Sequence, residues 1–255
     1  MHLSGATVLV LAAVAFAAGL VDAVAGGGGL LTVPALMSVM PSSPHLALGT
    51  NKGQSVFGAI ASAISYWRRG GIDRERAASA FACALLGAAG GSALQLAVPA
   101  EPLRPVALVL LVAAALVVIL HPLIVKQAGA RKSVSPAVPG AIAFALGAYD
   151  GFFGPGTGSL LIVAYVTFLG DSMTRASGNA KIANLASNLA AVVIFAFKGT
   201  VLWHVSLPMA VGNALGAAVG ARVALHGGDR FVRAIVLLVV LALVTKLTWD
   251  LVSRS

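Results

Sequence analysis

The chain has 255 residues, of which 59% are hydrophobic and only 10% charged, and its mean hydropathy is +0.96. A water-soluble globular domain has about 25% charged residues to cover its surface, so this composition excludes that class. The net charge of +9 comes largely from Lys and Arg in short loops between apolar stretches, as the positive-inside rule describes. It therefore indicates a membrane protein and not a nucleic-acid-binding protein.

Long apolar runs follow one another along the chain, among them residues 77–98, 106–120 and 231–245. They approach the ~20 residues that cross a hydrocarbon core, and backbone groups in lipid must be satisfied within one segment. We therefore expect an all-α, multi-pass protein of the cell inner membrane. We expect the apolar run at 9–20 to belong to the mature protein and not to a signal peptide, because no Lys or Arg precedes it and its pattern recurs later.

The same pattern occurs twice, at an offset of 128 residues. Gly19, Asp22, Gly26, Gly28 and Asn51 align with Gly147, Asp150, Gly154, Gly156 and Asn179, and one further residue of offset aligns Lys52, Gly87 and Gly91 with Lys181, Gly216 and Gly220. Each copy contains a Gly-rich break, an Asn/Lys segment, a basic loop, a helix of small residues and a final apolar helix. We expect residues 1–125 and 138–255 to be two transmembrane repeats, joined by a basic cytoplasmic connector at 126–137.

The basic loops predict the orientation of these repeats. Lys and Arg crowd into the segments 68–76, 126–132 and 222–233, which we place in the cytoplasm. The loop at Lys198 then faces outside, whereas its counterpart at Arg69 faces inside. The repeats are therefore inverted, each a re-entrant broken-helix hairpin plus three transmembrane helices. This arrangement gives six full crossings, two hairpins and both termini in the periplasm, and it recurs among secondary transporters.

Two acidic residues lie inside apolar sequence, Asp22 and Asp150, one in each copy. An ionisable group inside a bilayer is costly unless it is paired or hydrated, so both are candidates for a functional site. We expect each to be a coupling or structural acid that caps a half-helix or pairs with the Lys of its own copy. Proton coupling during transport and a position at the membrane interface are the alternatives.

The Gly-rich breaks and the Asn/Lys segments after them predict an anion site. A helix that begins just beyond a break, at Leu30 or Ser159, directs free N–H groups and its positive dipole end at the break, and Lys and Asn add a cation and hydrogen-bond donors. The alternatives are tight helix packing for the glycines and a counter-ion or interfacial role for the lysines. The predicted substrate-binding residues are Gly26, Gly27, Gly28, Gly29, Thr50, Asn51, Lys52, Gly154, Gly156, Thr157, Gly158, Ser159, Asn179, Lys181 and Asn184, with Ser55 and Ser177 as weaker candidates.

These motifs resemble the TauE/SafE family of sulfite exporters, within the TSUP superfamily. The resemblance lies in residues 19–29 (GLVDAVAGGGG), 33–36 (VPAL), 47–52 (ALGTNK), 66–73 (YWRRGGID), 151–159 (GFFGPGTGS) and 178–185 (GNAKIANL), and it covers nearly the whole chain. The resemblance implies about eight helical segments in two repeats. It also implies transport of sulfite, a sulfonate such as sulfoacetate, or a related C2–C3 organic anion.

The sequence therefore predicts a secondary transporter with alternating access between the repeats, and not an enzyme. A passive anion channel on the same fold is the first alternative, and an intramembrane hydrolase with Asp22 and Asp150 as a dyad is a remote one, since neither lies in a Gly-x-Gly-Asp segment. We expect no cofactor, no metal site and no nucleic-acid partner. The expected partners are a small anion, a coupled proton as one option, and the lipid bilayer, with the protein a monomer or a homodimer.

Overall fold

The computed structural model describes residues 3–124, 135 and 137–252, and the regular structure within them is helical. The helices are α1 (Gly5–Ala25), α2 (Gly29–Val39), α3 (Pro44–Arg68), α4 (Arg74–Ala97), α5 (Ala100–Ile124), α6 (Ala137–Phe152), α7 (Thr157–Ala164), α8 (Met173–Phe197) and α9 (Trp203–Val252), and a π-helical turn (Tyr165–Leu169) extends α7. The predicted fold class, an all-α membrane protein, is confirmed. The predicted connector lies almost entirely outside the described residues.

Four segments of the described chain are long and apolar enough to cross a membrane: Gly5–Ala25, Arg74–Ala97, Met173–Phe197 and Trp203–Gly227. Helix α3 has 25 residues, which matches the length of a span, but Asn51, Lys52 and Gln54 make it more polar. These three polar side chains are buried in the bundle. The most polar helix is therefore placed where its polar groups face protein and not lipid.

Helices α1 and α2 form a hairpin around the first Gly-rich break. Gly26 adopts φ +78°, in the left-handed region, and ends α1. The chain then turns back on itself. Gly28 lies so close to α1 that a Cβ there would touch the carbonyl oxygen of Ala18, ten residues earlier. Leu11 near the start of the hairpin and Met40 at its end share one apolar cluster. The hairpin therefore enters and leaves at the same end of the bundle, although its first arm, at 21 residues, is longer than the predicted half-helix.

Helices α6 and α7 form the second hairpin. Gly154 and Gly156, with φ of +101° and +82°, allow the turn between them. Pro139 at the start of α6 and Tyr165 at the end of the α7 segment both lie beside Arg76. This hairpin, like the first, begins and ends at one end of the bundle.

Helices α3 and α8 run antiparallel and define the two ends of the bundle. The backbone of Gly178, near the start of α8, touches that of Gly71, just after α3. Gly49, near the start of α3, touches Thr200, just after α8. We call the end of the bundle at the Gly178–Gly71 contact the basic end, because Arg69 lies there. We call the opposite end, at the Gly49–Thr200 contact, the Thr200 end. The second hairpin lies at the basic end, beside Arg76, and the first at the Thr200 end, where its apolar cluster includes Val205.

Glycines allow helices of different halves to pack with their backbones in contact. On α9, a Cβ at Gly216 would collide with the carbonyl oxygen of Phe16 on α1. On α4, a Cβ at Gly91 would collide in the same way with Ala148 on α6. Such stripes of small residues allow the closest approach of helices in membranes. Each broken hairpin is therefore anchored to the small-residue helix of the other half.

Helix α9 differs from the prediction. The sequence analysis places a cytoplasmic loop at 222–233 between two helices, whereas α9 continues from Trp203 to Val252. After Pro208 its sequence holds no further Pro, and an interior Gly costs only about 1 kcal/mol relative to Ala, so the pair at 227–228 does not force a break. At a rise of 1.5 Å per residue the helix extends about 75 Å, more than twice the ~30 Å hydrocarbon core.

Candidate functional site

The two Gly-rich breaks meet in the interior of the bundle. Ser159 donates its backbone N–H to the carbonyl oxygen of Gly26 at 3.1 Å and its hydroxyl to that of Ala25 at 2.6 Å. The backbones of Gly26 and Gly158 touch, so that neither position has room for a Cβ. Glycine at both breaks is therefore required by contact between the two hairpins and not only by the turn within each.

A polar cavity of about 40 Å³ lies at this junction. It is lined by Asp22, Gly26, Gly28, Gly29, Asn51, Lys52, Ser55, Ala59, Asp150, Gly154, Thr157, Gly158, Asn184, Asn188 and Asn213. One water molecule needs roughly 10–15 Å³ by the same kind of measure. The cavity therefore has room for a few water molecules or for an anion of a few heavy atoms.

Two ion pairs cross between the halves at the cavity. Lys52 Nζ lies 2.8 Å from Asp150 Oδ1, and Lys181 Nζ lies 3.0 Å from Asp22 Oδ2. The prediction that each acid pairs with the Lys of its own copy is wrong. The reason is the packing of the hairpins: each is anchored to the opposite half, so the lysine that reaches its break comes from that half.

Asp150 is the more enclosed of the two acids. Its side chain is 5% exposed and receives the ammonium group of Lys52, the hydroxyl of Ser187 and, at 3.4 Å, the amide of Asn188. A carboxylate with a counter-charge and further donors is satisfied without water. Asp150 is therefore fixed in the wall of the cavity.

Asp22 is more open, with 27% of its side chain exposed. One carboxylate oxygen accepts the N–H of Gly28, the residue before α2, at 3.2 Å. The other oxygen faces Lys181, which also donates to the backbone carbonyl of Asp22 near the C-terminus of α1. A cation at that end of a helix complements its dipole.

Side chains of the opposite half and of α3 satisfy the last carbonyl groups of α1. Tyr66 donates to Ala23 at 3.0 Å and Ser177 donates to Val24 at 3.0 Å. A helix end buried in a membrane protein must find such partners, since no bulk water reaches it. Ser177 therefore has a structural contact here and does not line the cavity.

The amide of Asn51 is oriented by its neighbours. Its oxygen accepts the hydroxyl of Thr32 at 2.6 Å and the side-chain amide of Gln54 at 3.0 Å. Because the oxygen is occupied twice, the polar group that Asn51 offers to the cavity is its NH₂. That arrangement presents hydrogen-bond donors, which suits an anion.

The helix ends contribute less than the sequence analysis predicts. Helices α2 and α7 begin at Gly29 and Thr157, within two residues of the predicted starts, and both lie at the cavity. However, the N–H groups of Gly28 and Ser159 already bond Asp22 and Gly26. The two described ion pairs also leave the site close to neutral, so a ligand would meet amide and hydroxyl groups more than free charge.

Not every predicted residue reaches the cavity. Those that line it are Gly26, Gly28, Gly29, Asn51, Lys52, Gly154, Thr157, Gly158 and Asn184, together with Asp22 and Asp150; those that do not are Gly27, Thr50, Gly156, Ser159, Asn179 and Lys181. Thr50 accepts the N–H of Leu202 at 3.1 Å, and Asn179 donates to Asp171 at 2.9 Å. Lys181 is 0% exposed behind Asp22. The repeat marks structurally equivalent positions, which here have different contacts in the two halves.

Three lining residues, Ala59, Asn188 and Asn213, are not among the predicted ones. Asn188 follows Asn184 by four residues on α8, so both lie on one helix face, and this spacing was a usable signal. Asn213 aligns with apolar sequence in the first half, and its role depends on Gly58, which leaves room for its side chain. No local pattern marks either Asn213 or Ala59.

The helical hairpins, the buried polar cavity between them and the apolar spans define a multi-pass membrane transporter. The chain matches the family model described as "Sulfite exporter TauE/SafE" over residues 11–247. It belongs to the TauE/SafE family, as the resemblance of its motifs predicts.

Several curated relatives align over most of their length. A probable membrane transporter protein, ORF9, of Sinorhizobium sp is 37% identical over 240 residues, which is 92% of this chain and 90% of the relative. The probable membrane transporter protein YfcA of Escherichia coli (strain K12) is 35% identical over 241 residues, 94% of this chain and 89% of the relative. A probable membrane transporter protein of Haemophilus influenzae is 35% identical over 243 residues, 94% of both chains. No solved structure matches the chain.

Proposed function

We propose that this protein is a secondary transporter of a small anion at the cell inner membrane. The anion would be sulfite, a sulfonate such as sulfoacetate, or a related C2–C3 organic anion. The observation that carries the proposal is the buried polar cavity at the meeting point of two broken hairpins, with an Asp–Lys pair from opposite halves on each side. A polar site inside an apolar bundle is costly to maintain unless it serves a solute.

The donors at the cavity support an anion as that solute. Asn51 offers its NH₂ group, Lys52 is a cation in the lining, and the first turns of α2 and α7 face the same space. The volume of about 40 Å³ favours an anion with few heavy atoms, such as sulfite, over a longer sulfonate in this conformation. The family name, sulfite exporter TauE/SafE, is consistent with that chemistry.

Alternating access between inverted halves is the mechanism we propose. It is supported by the antiparallel pair α3 and α8 and by the two hairpins, which enter from opposite ends. Rocking of one half against the other would expose the cavity to each side in turn. The basic end would face the cytoplasm and both termini the periplasm, by the positive-inside rule.

Flux into proteoliposomes tests the proposal. We expect purified protein to accumulate labelled sulfite against its concentration gradient when a proton gradient is imposed at zero membrane potential; flux that only follows the electrochemical gradient of sulfite itself would indicate the passive channel. The variant Lys52→Gln/Asp150→Asn removes both members of one ion pair, so that neither charge is left buried alone. It should remain folded and lose at least ~90% of the flux, as expected when a site loses a charged donor worth about 1.5–3 kcal/mol.

The matched control is Lys198→Ala, which removes an exposed cation just after α8, about 15 Å along the helix axis from the cavity residue Asn188. Its flux should equal that of the wild type. Wild-type flux in the Lys52→Gln/Asp150→Asn variant would remove the site assignment.

A further inference from the structure

A second polar cluster lies at the basic end, apart from the cavity. It consists of Asp73 and Arg76 at the start of α4 and of Asp171 and Asn179 around the start of α8. We call it the latch. Asn179 is predicted to bind substrate, and Asp171, which lies in a short loop after apolar sequence, is not among the predicted residues.

The latch is a closed ring of hydrogen bonds. Arg76 Nε donates to Asp73 at 2.7 Å and Arg76 Nη2 donates to Asp171 at 3.0 Å. Asn179 Nδ2 donates to Asp171 at 2.9 Å, and the backbone N–H of Asp73 donates to Asn179 Oδ1 at 2.8 Å. Every residue of the ring is thus bonded to two others.

The ring joins the two halves of the protein. Asp73 and Arg76 belong to the first half, and Asp171 and Asn179 belong to the second. The Asp171 side chain is 0% exposed and that of Arg76 is 18% exposed. Bonds between a guanidinium and a carboxylate that are shielded from water are stronger than neutral ones. The basic end is therefore closed by a charge-assisted contact between the halves.

The contact between the halves at the Thr200 end is of another kind. There the N–H of Leu202, in the second half, donates to the hydroxyl of Thr50, in the first, at 3.1 Å. This bond joins two neutral groups, and an apolar cluster that includes Leu11, Met40 and Val205 also links the halves there. The described contacts between the halves therefore differ in kind at the two ends, with charged groups in the latch and neutral groups in the Leu202–Thr50 bond.

We propose that the latch is the gate of the basic end, so that Arg76 and Asp171 must separate before the cavity opens to that side. This inference rests on the proposed function, since a gate has meaning only for a protein that alternates between two openings. A conformation that separates the start of α4 from the start of α8 at the basic end would leave the buried Asp171 without its cation. The latch therefore favours the conformation closed at that end, and its loss shifts the population towards the open one.

Cysteine accessibility tests the gate without a substrate. In a Cys83→Ser background, a reporter cysteine replaces Ser55, which lines the cavity and is partly exposed. A small, membrane-impermeant thiosulfonate reagent is then applied to vesicles of each orientation. In Arg76→Ala, we expect labelling from the basic end to rise about tenfold, and labelling from the Thr200 end to fall.

Graded variants separate an opened gate from a damaged fold. Arg76→Lys keeps the charge but loses the planar fork, so its labelling should lie between those of the parent and Arg76→Ala. Arg76→Gln/Asp171→Asn removes the fully buried carboxylate together with its cation and serves if Arg76→Ala fails to fold; its labelling should also rise from the basic end.

Arg74→Ala is the matched control, because Arg74 begins the same helix but stacks on Trp67 at the surface, 5.3 Å from its ring. Its labelling should equal that of the parent. Parent-like labelling in the folded Arg76→Ala or Arg76→Gln/Asp171→Asn proteins would overturn the gate. Labelling needs no anion, so it is measured independently of flux in proteoliposomes. Unchanged labelling together with normal flux would reject the gate but not the proposed transport.

Discussion

The two Asp–Lys pairs are copies of one sequence pattern, yet the fold gives them different surroundings. The side chain of Asp150 is 5% exposed and receives Lys52, Ser187 and Asn188. That of Asp22 is 27% exposed, and its partners are the Gly28 N–H and Lys181. In one pair the lysine lines the cavity, and in the other it lies behind its acid. An internal repeat therefore identifies which positions matter but not what each copy contacts.

The largest expected effect separates the two acids. Lys52→Met leaves the Asp150 carboxylate, which is 5% exposed, without a counter-charge, and removal of one partner of a buried pair costs about 3–5 kcal/mol. Lys181→Met should cost less, about 1–2 kcal/mol, because the Asp22 carboxylate is 27% exposed to water and keeps the N–H of Gly28. Thermal unfolding in detergent, followed by tryptophan fluorescence, measures both. Equal losses of stability would contradict the difference in burial.

A smaller effect should be the same in both halves. Gly91→Ala and Gly220→Ala each place a Cβ against the backbone of the facing helix, at Ala148 and Leu20. Overpacking of this kind costs about 1–3 kcal/mol. The free energy of unfolding should therefore be lowered by a similar amount, within this range, in both variants. Gly90→Ala is the control, since a Cβ there meets open space, and it should not destabilise. If Gly90→Ala were destabilised as well, contact with α6 could not be the reason why Gly91→Ala is destabilised.

The smallest effect concerns Asn213, which has no polar counterpart in the first half. Asn213→Ala removes one neutral hydrogen-bonding group from the cavity and should raise the KM for sulfite about two- to tenfold, which corresponds to 0.5–1.5 kcal/mol. Stability should hardly change. Val211→Ala, on the same helix with its side chain 63% exposed, should leave KM unaltered. An unchanged KM in Asn213→Ala would place the anion away from α9.

Much of the site followed from local sequence. Most glycines of the two breaks, the acids before them and Asn51 and Lys52 after the first break were predicted, and these line the cavity. Asn179 and Lys181 were predicted by symmetry alone, and their side chains bond Asp171 and Asp22 outside the lining. Repeat symmetry failed for Asn179 because, at the offset of 129 that aligns Lys52 with Lys181, Asn51 aligns with Ala180, and one residue changes the helix face by about 100°. Lys181 makes the ion pair that corresponds to that of Lys52, but it lies behind the more exposed Asp22.

The sequence by itself determined the membrane class, the helical fold and the interrupted helices, because hydropathy, glycine and buried charge act within one segment. Only the tertiary structure decided that each lysine pairs with the acid of the other half, that α9 continues unbroken and that Arg76 meets Asp171. The physical reason is distance along the chain. Contacts between residues about 100 or more positions apart depend on how helices pack, and that packing follows from many small side chains together and from no single motif.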